Sequence, residues 1–148
     1  MREFASSRGV ALAVRRFPST TRTAEDAARE IGTSVERIVK SLVFIASGEP
    51  VIVLCSGRSR VDEALLAATV GAPTTRRATA GEAKTFTGYA IGGVPPFAHV
   101  RPCRVIADEG LLVFDEVWAA AGLPDAVFPI PPADLVRIAE AQVARVAG

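Results

Sequence analysis

The chain has 148 residues, of which 49% are hydrophobic and 22% are charged, a composition typical of a folded domain rather than a disordered segment. Its formal net charge of +1 excludes the broad positive charge of a protein that binds duplex DNA regardless of sequence. No apolar run approaches the roughly 20 residues of a membrane helix, and no signal-peptide core is visible. We therefore expect one cytoplasmic domain over residues 1–148, with neither a membrane nor a DNA partner.

The N-terminal half alternates predicted strands and helices. Residues 10–17 form a short apolar strand pattern, and Thr23–Asp26 has the spacing of a capping box at the start of a helix that Gly32 ends. The same spacing recurs in Thr33–Glu36 and predicts another helix start. Residues 41–47 and 51–56 then read as two buried strands joined by a hairpin or a short link.

The C-terminal half continues in the same mixed manner. Capping-box spacing predicts helices at Ser59–Asp62, ending at Gly71, and at Thr79–Glu82. Residues 103–108 and 126–130 read as strands, whereas 115–122 and 132–144 read as helices. Because the elements do not form clean βαβ repeats, the sequence predicts an α+β fold in which helices pack against a mixed sheet.

Residues that usually carry catalysis or bind metals are sparse. Cys55 and Cys103 are far apart and form no CxxC or Cys/His cluster, so we expect buried thiols and no metal site. The sequence also lacks the phosphate-binding glycine motifs and the GxSxG elbow, and it points to no cofactor. His99 is the one histidine, and a loop position outside catalysis is the more common place for such a residue.

Lys40 stands where a helical pattern passes into an apolar strand, in "VERIVKSLVFIAS". A lysine among such neighbours either extends to solvent or points into a cleft. It could simply be a cation at a helix C-terminus, which the helix dipole favours. Alternatively, its ammonium group faces a bound anion or carbonyl, with Ser41 beside it.

Two loops could contact a ligand through their backbone. In "SGRSRVD" (56–62), free N–H groups, Arg58 and Arg60 could hold a phosphate, although a helix cap explains much of the pattern. In "YAIGGVPPFAHV" (89–100), Gly92 and Gly93 permit close approach of a ligand, and Pro95 and Pro96 stiffen the loop. This second loop is either a structural turn or the wall of a small pocket that holds a carbonyl oxygen.

Five segments, in order, resemble the YbaK/ProX family of bacterial editing proteins, which are related to the insertion domain of prolyl-tRNA synthetase. They are "TAEDAAREIG", "IVKSLVF", "SGRSRVD", "TGYAIGGVPPF" and "PADLV", and the resemblance covers about residues 10 to 146. It implies a curved, mixed and largely antiparallel sheet flanked by helices. It also implies hydrolysis of the ester that links a wrong amino acid to tRNA, usually tRNA for proline.

The resemblance assigns roles to individual residues. Lys40 matches the family's essential lysine, and Gly92, Gly93 and Pro96 match the loop whose backbone faces the aminoacyl carbonyl. Ser56, Gly57 and Asp62 match a segment at the edge of the pocket. Ser41 departs from the alanine-specific editors, which have asparagine there, and the N-terminal helix of many members is reduced here to "MREFASSRG".

From these roles we expect an aminoacyl-tRNA deacylase that acts in trans on the acceptor end of tRNA, with a synthetase as a further partner. Lys40 and Gly92 would be catalytic, and Val94, Pro95 and Phe97 would restrict the cavity to a small side chain such as Ala, Cys, Ser or Thr. Two alternatives stay open: a module that binds the tRNA acceptor end or a synthetase without catalysis, and a hydrolase of small esters outside translation. A binding module would keep a basic rim, composed of Arg58, Arg60, Arg76 and Arg77, but would not need Lys40.

Overall fold

The computed structural model describes residues 2–17 and 23–148. Within them it has five α-helices: α1 (Arg2–Ser6), α2 (Ala24–Ile31), α3 (Glu63–Val70), α4 (Ala80–Thr87) and α5 (Pro132–Ala139). The strands are β1 (Arg15–Arg16), β2 (Val39–Ala46), β3 (Glu49–Ser56), β4 (Thr75–Arg77), β5 (Arg104–Asp108), β6 (Val117–Ala120), β7 (Ala126–Ile130) and β8 (Gln142–Ala144). Two 3₁₀ turns lie at Val35–Arg37 and Glu109–Val113.

The strands form two sheets in which antiparallel pairing predominates. One has five strands in the order β4-β2-β3-β5-β8, with antiparallel pairs as far as β3 and parallel pairs beyond it. The other is antiparallel, in the order β1-β7-β6. A parallel bridge between Ile38 and Trp118 joins them. This arrangement confirms the predicted α+β fold with a mixed, largely antiparallel sheet.

The β2–β3 hairpin is the centre of the larger sheet and confirms the predicted strand pair. Ser47 and Gly48 form its turn with φ values of 51° and 79°, the left-handed geometry that matches the twist of a two-residue hairpin. One face of the hairpin packs Val39 and Val43 into a core cluster with α4, α5, β6 and β7. The other face packs Phe44 and Val53 against Leu66 of α3.

Two of the four predicted capping boxes are present. Thr23 with Asp26 and Thr79 with Glu82 each form both reciprocal hydrogen bonds, and α2 and α4 begin there. At Ser59–Asp62 the prediction is wrong in detail, because Asp62 is the cap: its carboxylate accepts from the N–H groups of Ala64 and Leu65.

The helix predicted from Thr33–Glu36 does not form. Only a 3₁₀ turn follows, and Ile38 has extended backbone angles (φ −85°, ψ 125°). Ile38 is buried, and its carbonyl accepts the N–H of Gly57 at 2.7 Å, so pairing with the end of β3 stops the helix.

The helix predicted over 115–122 is wrong, because this segment contains β6. Val117 and Ala119 are fully buried while Trp118 and Ala120 are partly exposed, a period of two, and tertiary pairing with β7 overrides the helix propensity of the alanines. The helix predicted over 132–144 ends early. Glu140 has φ 50°, and β8 then pairs with β5.

Candidate active site

The edge of β2 that faces away from β3 is only partly paired. Its outer end pairs with β4 over Phe44–Ala46, and the N–H of Ala78 donates to Val43. At the other end, Ile38, the residue before β2, forms a parallel bridge with Trp118. Ser41 lies between these two junctions, and the alternation of an antiparallel ladder turns its backbone groups toward this open edge. No strand among residues 2–17 and 23–148 pairs with it there.

A cavity of about 270 Å³ lies along this open edge. Residues 38–43 form one wall, and α2 with Thr23 before it, the end of β4, the 91–94 loop and the second sheet close the others. The lining residues outside the strand are Thr23, Ala24, Ala27, Arg77, Ala78, Ile91, Gly92, Val94, Trp118, Ala120, Pro124, Ala126 and Val127. The cavity is thus largely apolar, with Lys40, Ser41 and Arg77 supplying polar side chains.

Ser41 lines the cavity and also carries an unsatisfied polar group. Its Oγ is buried and has no hydrogen-bond partner among residues 2–17 and 23–148. A buried hydroxyl without a partner costs about 1–3 kcal/mol, and such groups in native proteins need an explanation. A bound molecule with a hydrogen-bonding group would supply one.

Lys40 lines the cavity, and its ammonium group is held by the loop that precedes α3. Its Nζ donates a hydrogen bond to the carbonyl of Ser59. Lys40 stands opposite Cys55 in the β2–β3 ladder, and burial raises the pKa of that thiol to about 11, with Lys40 acting in the opposite direction. Cys55 is therefore a protonated core thiol beside the lysine rather than a nucleophile.

Ser56, Gly57 and Asp62 lie outside the cavity lining, where they build the loop that holds Lys40. The Ser56 hydroxyl donates to the carbonyl of Glu36 at 2.9 Å. A Cβ on Gly57 would lie 2.6 Å from the carbonyl oxygen of Val35, so only glycine permits this close approach. The contacts of these three residues fix the backbone around Ser59, and their expected place at the pocket's edge stays a prediction.

Gly92 and Val94 reach the cavity from the 91–94 loop. Gly92 has φ 92°, a left-handed angle that favours glycine, and open space where a Cβ would be. Its N–H donates to no acceptor within the described part of the chain. Gly93 instead donates to Ala90 at 3.0 Å, and a Cβ there would lie 3.0 Å from the backbone of Leu123. Gly93 thus allows the loop to pack against the β6–β7 connection.

The remainder of this loop lies behind the cavity rather than on its wall. Phe97 is 2% exposed in the core, stacked on Phe4 at 5.4 Å and tilted against Phe128 at 5.8 Å. Pro95 and Pro96 are buried and do not line the cavity, and the Pro95 carbonyl accepts from Nε2 of His99. Phe97 belongs to the same core cluster as Val94, which lines the cavity, and the expectation that Pro95 and Phe97 narrow the cavity stays a prediction.

His99 also lies outside the cavity lining. Burial lowers the pKa of its imidazole, partly offset by the hydrogen bond to Pro95. This placement agrees with the expectation that His99 is a loop residue outside the site.

The second sheet supplies a wall that the sequence did not reveal. Trp118 and Ala120 come from β6, and Ala126 and Val127 from β7. The first two fell in a predicted helix, and the four apolar residues of "VWAA" show no apolar–polar alternation that would have indicated a strand.

Of the four arginines in the predicted basic rim, Arg77 is at the cavity. Its guanidinium lies 5.5 Å from the ring centre of Phe44 and forms no ion pair within the described residues. Arg76 pairs with Glu82, and Arg58 with Glu36. Arg77 is therefore the rim cation best placed to meet an anionic group at the cavity.

The described residues include no group of three or more His, Cys, Asp or Glu side chains that could hold a metal ion, and no helix long and apolar enough to cross a membrane. What the cavity offers is a cation, an unpaired hydroxyl and open backbone amides around a small apolar space. Such a site can orient an activated substrate and stabilise charge on a carbonyl oxygen.

Comparison with known proteins places this chain in the class of tRNA-editing domains. The sequence profile of the aminoacyl-tRNA editing domain matches residues 18–138. The chain belongs to this family, which confirms the resemblance drawn from the sequence.

Relatives and solved structures agree with this assignment. The chain is 32% identical over 131 residues to the uncharacterized protein YwhH of Bacillus subtilis. The aligned region covers 88% of this chain and 83% of YwhH. It is 34% identical over 89 residues, 60% of the chain, to the proline–tRNA ligase of Nitratidesulfovibrio vulgaris strain DP4, but spans only 16% of that enzyme.

Among solved structures, one proposed to be a trans-editing enzyme for prolyl-tRNA synthetase has a TM-score of 0.93 and 42% identity, with 99% of this chain and 94% of that chain covered. The hypothetical protein APE2540 has a TM-score of 0.91 and 31% identity, with 99% and 97% covered.

Proposed function

We propose that the chain is an aminoacyl-tRNA deacylase that acts in trans and hydrolyses the ester of a small, wrongly attached amino acid, with tRNA for proline as its substrate. The observation that carries the proposal is the small cavity at the open edge of β2, which brings Lys40, Ser41 and Gly92 together. The similarity to proline–tRNA ligases and to the trans-editing enzyme supports the choice of tRNA.

The size of the cavity favours an aminoacyl group as its occupant. About 270 Å³ lies just below the roughly 300–1,000 Å³ of pockets that enclose drug-sized ligands. The cavity can take an amino acid side chain and its ester, while the rest of the tRNA stays outside. Val94, Ala120 and Trp118 would then set the upper size of the side chain, and each methylene would contribute about 1–3 kcal/mol of discrimination.

In the proposed reaction, water adds to the ester carbonyl carbon, the bond from that carbon to the ribose oxygen breaks, and the ribose oxygen takes a proton. The products are the free amino acid and tRNA with a free terminal hydroxyl. The ester is already activated, so the site needs positioning and charge stabilisation more than a protein nucleophile.

Each polar group at the cavity has a role in this mechanism. The N–H of Gly92, which has no acceptor among the described residues, polarises the ester carbonyl. The buried Ser41 hydroxyl turns toward the substrate and binds its α-amino group. Lys40 supplies positive charge beside the developing oxyanion or the ribose oxygens. Arg77 meets the terminal phosphate.

The test is a panel of tRNAs for proline charged with Ala, Cys, Ser, Thr or Pro, with ester loss followed over time. The wild type should release one or a few of the small amino acids and leave prolyl-tRNA intact. Lys40→Ala should lose about a hundredfold or more in rate, the scale seen when one charge-stabilising donor is removed. Lys84→Ala is the matched control, because Lys84 is the other lysine and lies in α4 outside the cavity lining.

The panel separates the alternatives. Near-normal turnover in a folded Lys40→Ala protein would refute the role of Lys40. Binding of tRNA without ester loss would replace the deacylase with a binding module, and hydrolysis of small esters without any response to tRNA would indicate a hydrolase outside translation.

A further inference from the structure

The carbonyl that holds Lys40 belongs to an irregular segment. Ser59 lies between the end of β3 and the start of α3, in neither a helix nor a strand. Upstream, the N–H of Ser59 donates to Ser56 and that of Gly57 donates to Ile38. These contacts fix one side of the segment. Its other side needs a separate support.

That support comes from the last residues of the sequence. The N–H of Arg60 donates to Gly148 at 3.0 Å, and the N–H of Gly148 donates back to Arg60 at 3.0 Å. The N–H of Asp62 donates to Val146 at 2.8 Å. Residues 146–148, which we call the tail, therefore add a short antiparallel strand to the segment that carries Ser59.

The tail in turn is fixed by a buried carboxylate. Asp108, at the end of β5, is 4% exposed, and its Oδ1 accepts from the N–H groups of Val146 and Ala147, each at 3.0 Å. Its Oδ2 accepts from Gly110 at 3.1 Å. No basic side chain among the described residues forms an ion pair with Asp108, so backbone amides satisfy this buried charge.

We propose that Asp108 is a positioning residue for Lys40, acting through the tail and the Ser59 carbonyl. The tail donates to the carboxylate and is hydrogen-bonded to Arg60 and Asp62. Arg60 follows Ser59 in the chain, and the ammonium of Lys40 donates to the Ser59 carbonyl. Replacing Asp108 should loosen the tail and let the lysine leave its site, although Asp108 lies outside the cavity lining. This inference rests on the proposed function for its catalytic consequence.

Asp108→Asn tests the link with little change in shape. The carboxamide has one acceptor oxygen where the carboxylate has two, so its NH₂ group meets N–H donors either at the tail or at Gly110. The hydrogen bonds that remain to the tail also lose the contribution of the negative charge. Lysine labelled with ¹³C at Cε gives two signals in this chain, one each for Lys40 and Lys84, and Lys40→Arg identifies the first. We expect the Lys40 signal of Asp108→Asn to shift and sharpen while the Lys84 signal stays, and the deacylation rate to fall roughly ten- to a hundredfold.

A second variant separates the tail from the charge of Asp108. Deleting Gly148 removes both hydrogen bonds to Arg60 and leaves those of Asp108 to Val146 and Ala147 in place. It should move the same Lys40 signal and lower the rate in the same direction. If Asp108→Asn fails to fold, this variant still tests whether the tail positions Lys40, and an unchanged signal and rate would overturn the proposal.

Two controls exclude a general effect of charge loss or reduced stability. Asp134→Asn removes an aspartate that pairs with Arg137 on α5 and should leave Lys40 unchanged. Ile138→Val removes a methyl group from a fully buried residue and should lower stability without moving the Lys40 signal.

An unchanged Lys40 signal in the folded Asp108 and Gly148 variants would overturn the proposal, as would a moved signal with an unchanged rate. If Lys40→Ala retains turnover, the proposed role of the lysine fails instead, whatever the Asp108 variants do.

Discussion

The buried hydroxyl of Ser41 leads us to expect that replacing this residue by alanine raises the stability of the protein and lowers its activity. Ser41→Ala removes a buried Oγ that has no hydrogen-bond partner within the described residues. Leaving such a group unsatisfied costs about 1–3 kcal/mol, whereas the methyl group of alanine incurs no such cost. We therefore expect the free energy of unfolding to rise by about 1 kcal/mol, which corresponds to a melting temperature roughly 2–4 °C higher for a chain of this length.

The same change should weaken editing. If the hydroxyl binds the substrate's amino group, Ser41→Ala loses a hydrogen bond to a charged partner, about 1.5–3 kcal/mol, or roughly ten- to a hundredfold in kcat/KM. A gain in stability with a loss in kcat/KM is the pattern of a group retained for its ligand.

Ser56→Ala is the matched control, because Ser56 lies at the end of the neighbouring strand and its hydroxyl has a partner. It donates to the carbonyl of Glu36 at 2.9 Å, so its loss should destabilise the protein by about 0.5–1.5 kcal/mol. Urea unfolding of both variants, compared at constant m-value, measures the two changes. The reasoning fails if the two substitutions change stability in the same direction, or if Ser41→Ala edits as fast as the wild type.

Two further predictions concern residues outside the cavity. Gly57→Ala places a Cβ 2.6 Å from the Val35 oxygen, far inside the usual contact of about 3.3 Å, and should cost about 1–3 kcal/mol in urea unfolding. Gly81→Ala, an open position in α4, should instead stabilise by about 0.5–1 kcal/mol, and equal effects would contradict the argument. Arg76 and the Thr79 amide lower the pKa of Glu82 from 4.5 to about 2, so its stabilising contribution is present above pH 4.5 and is lost as the pH falls toward 2. Unfolding measured across this range should show the difference between wild type and Glu82→Gln shrinking with acidity, and a constant difference would exclude this linkage.

Local sequence patterns predicted the elements whose stability is mainly local. The capping boxes at Thr23 and Thr79 and the β2–β3 hairpin formed as expected, since their signals lie within a few residues of each other. The prediction at 115–122 failed because an alanine-rich segment favours a helix by itself, whereas pairing with β7 comes from residues next to it in space. The sequence alone does not show how strongly pairing with β7 opposes the helix propensity.

The distinction between local sequence signals and contacts made through space also applies to the site. The family resemblance indicated Lys40 and Gly92, and the residues themselves suggested Ser41 and Val94; all four line one cavity. The resemblance could not show that Ser56, Gly57 and Asp62 act on the loop behind the lysine, because their partners are backbone groups. Because nearly all residue types carry the same backbone carbonyl and amide, the sequence does not show which of these groups form contacts.

The backbone also explains why so few reactive side chains are present. An aminoacyl ester needs its carbonyl held and its charge stabilised, and an unpaired strand edge with a glycine loop provides donors and acceptors for both. Among the described residues, β4 pairs with β2 over Phe44–Ala46 and β6 bridges to Ile38, which leaves Ser41 open between them. Extending β4 by three residues would place residue 80 opposite Ser41 and close this edge. The specificity of the cavity therefore depends on where strand pairing stops as much as on which side chains line it.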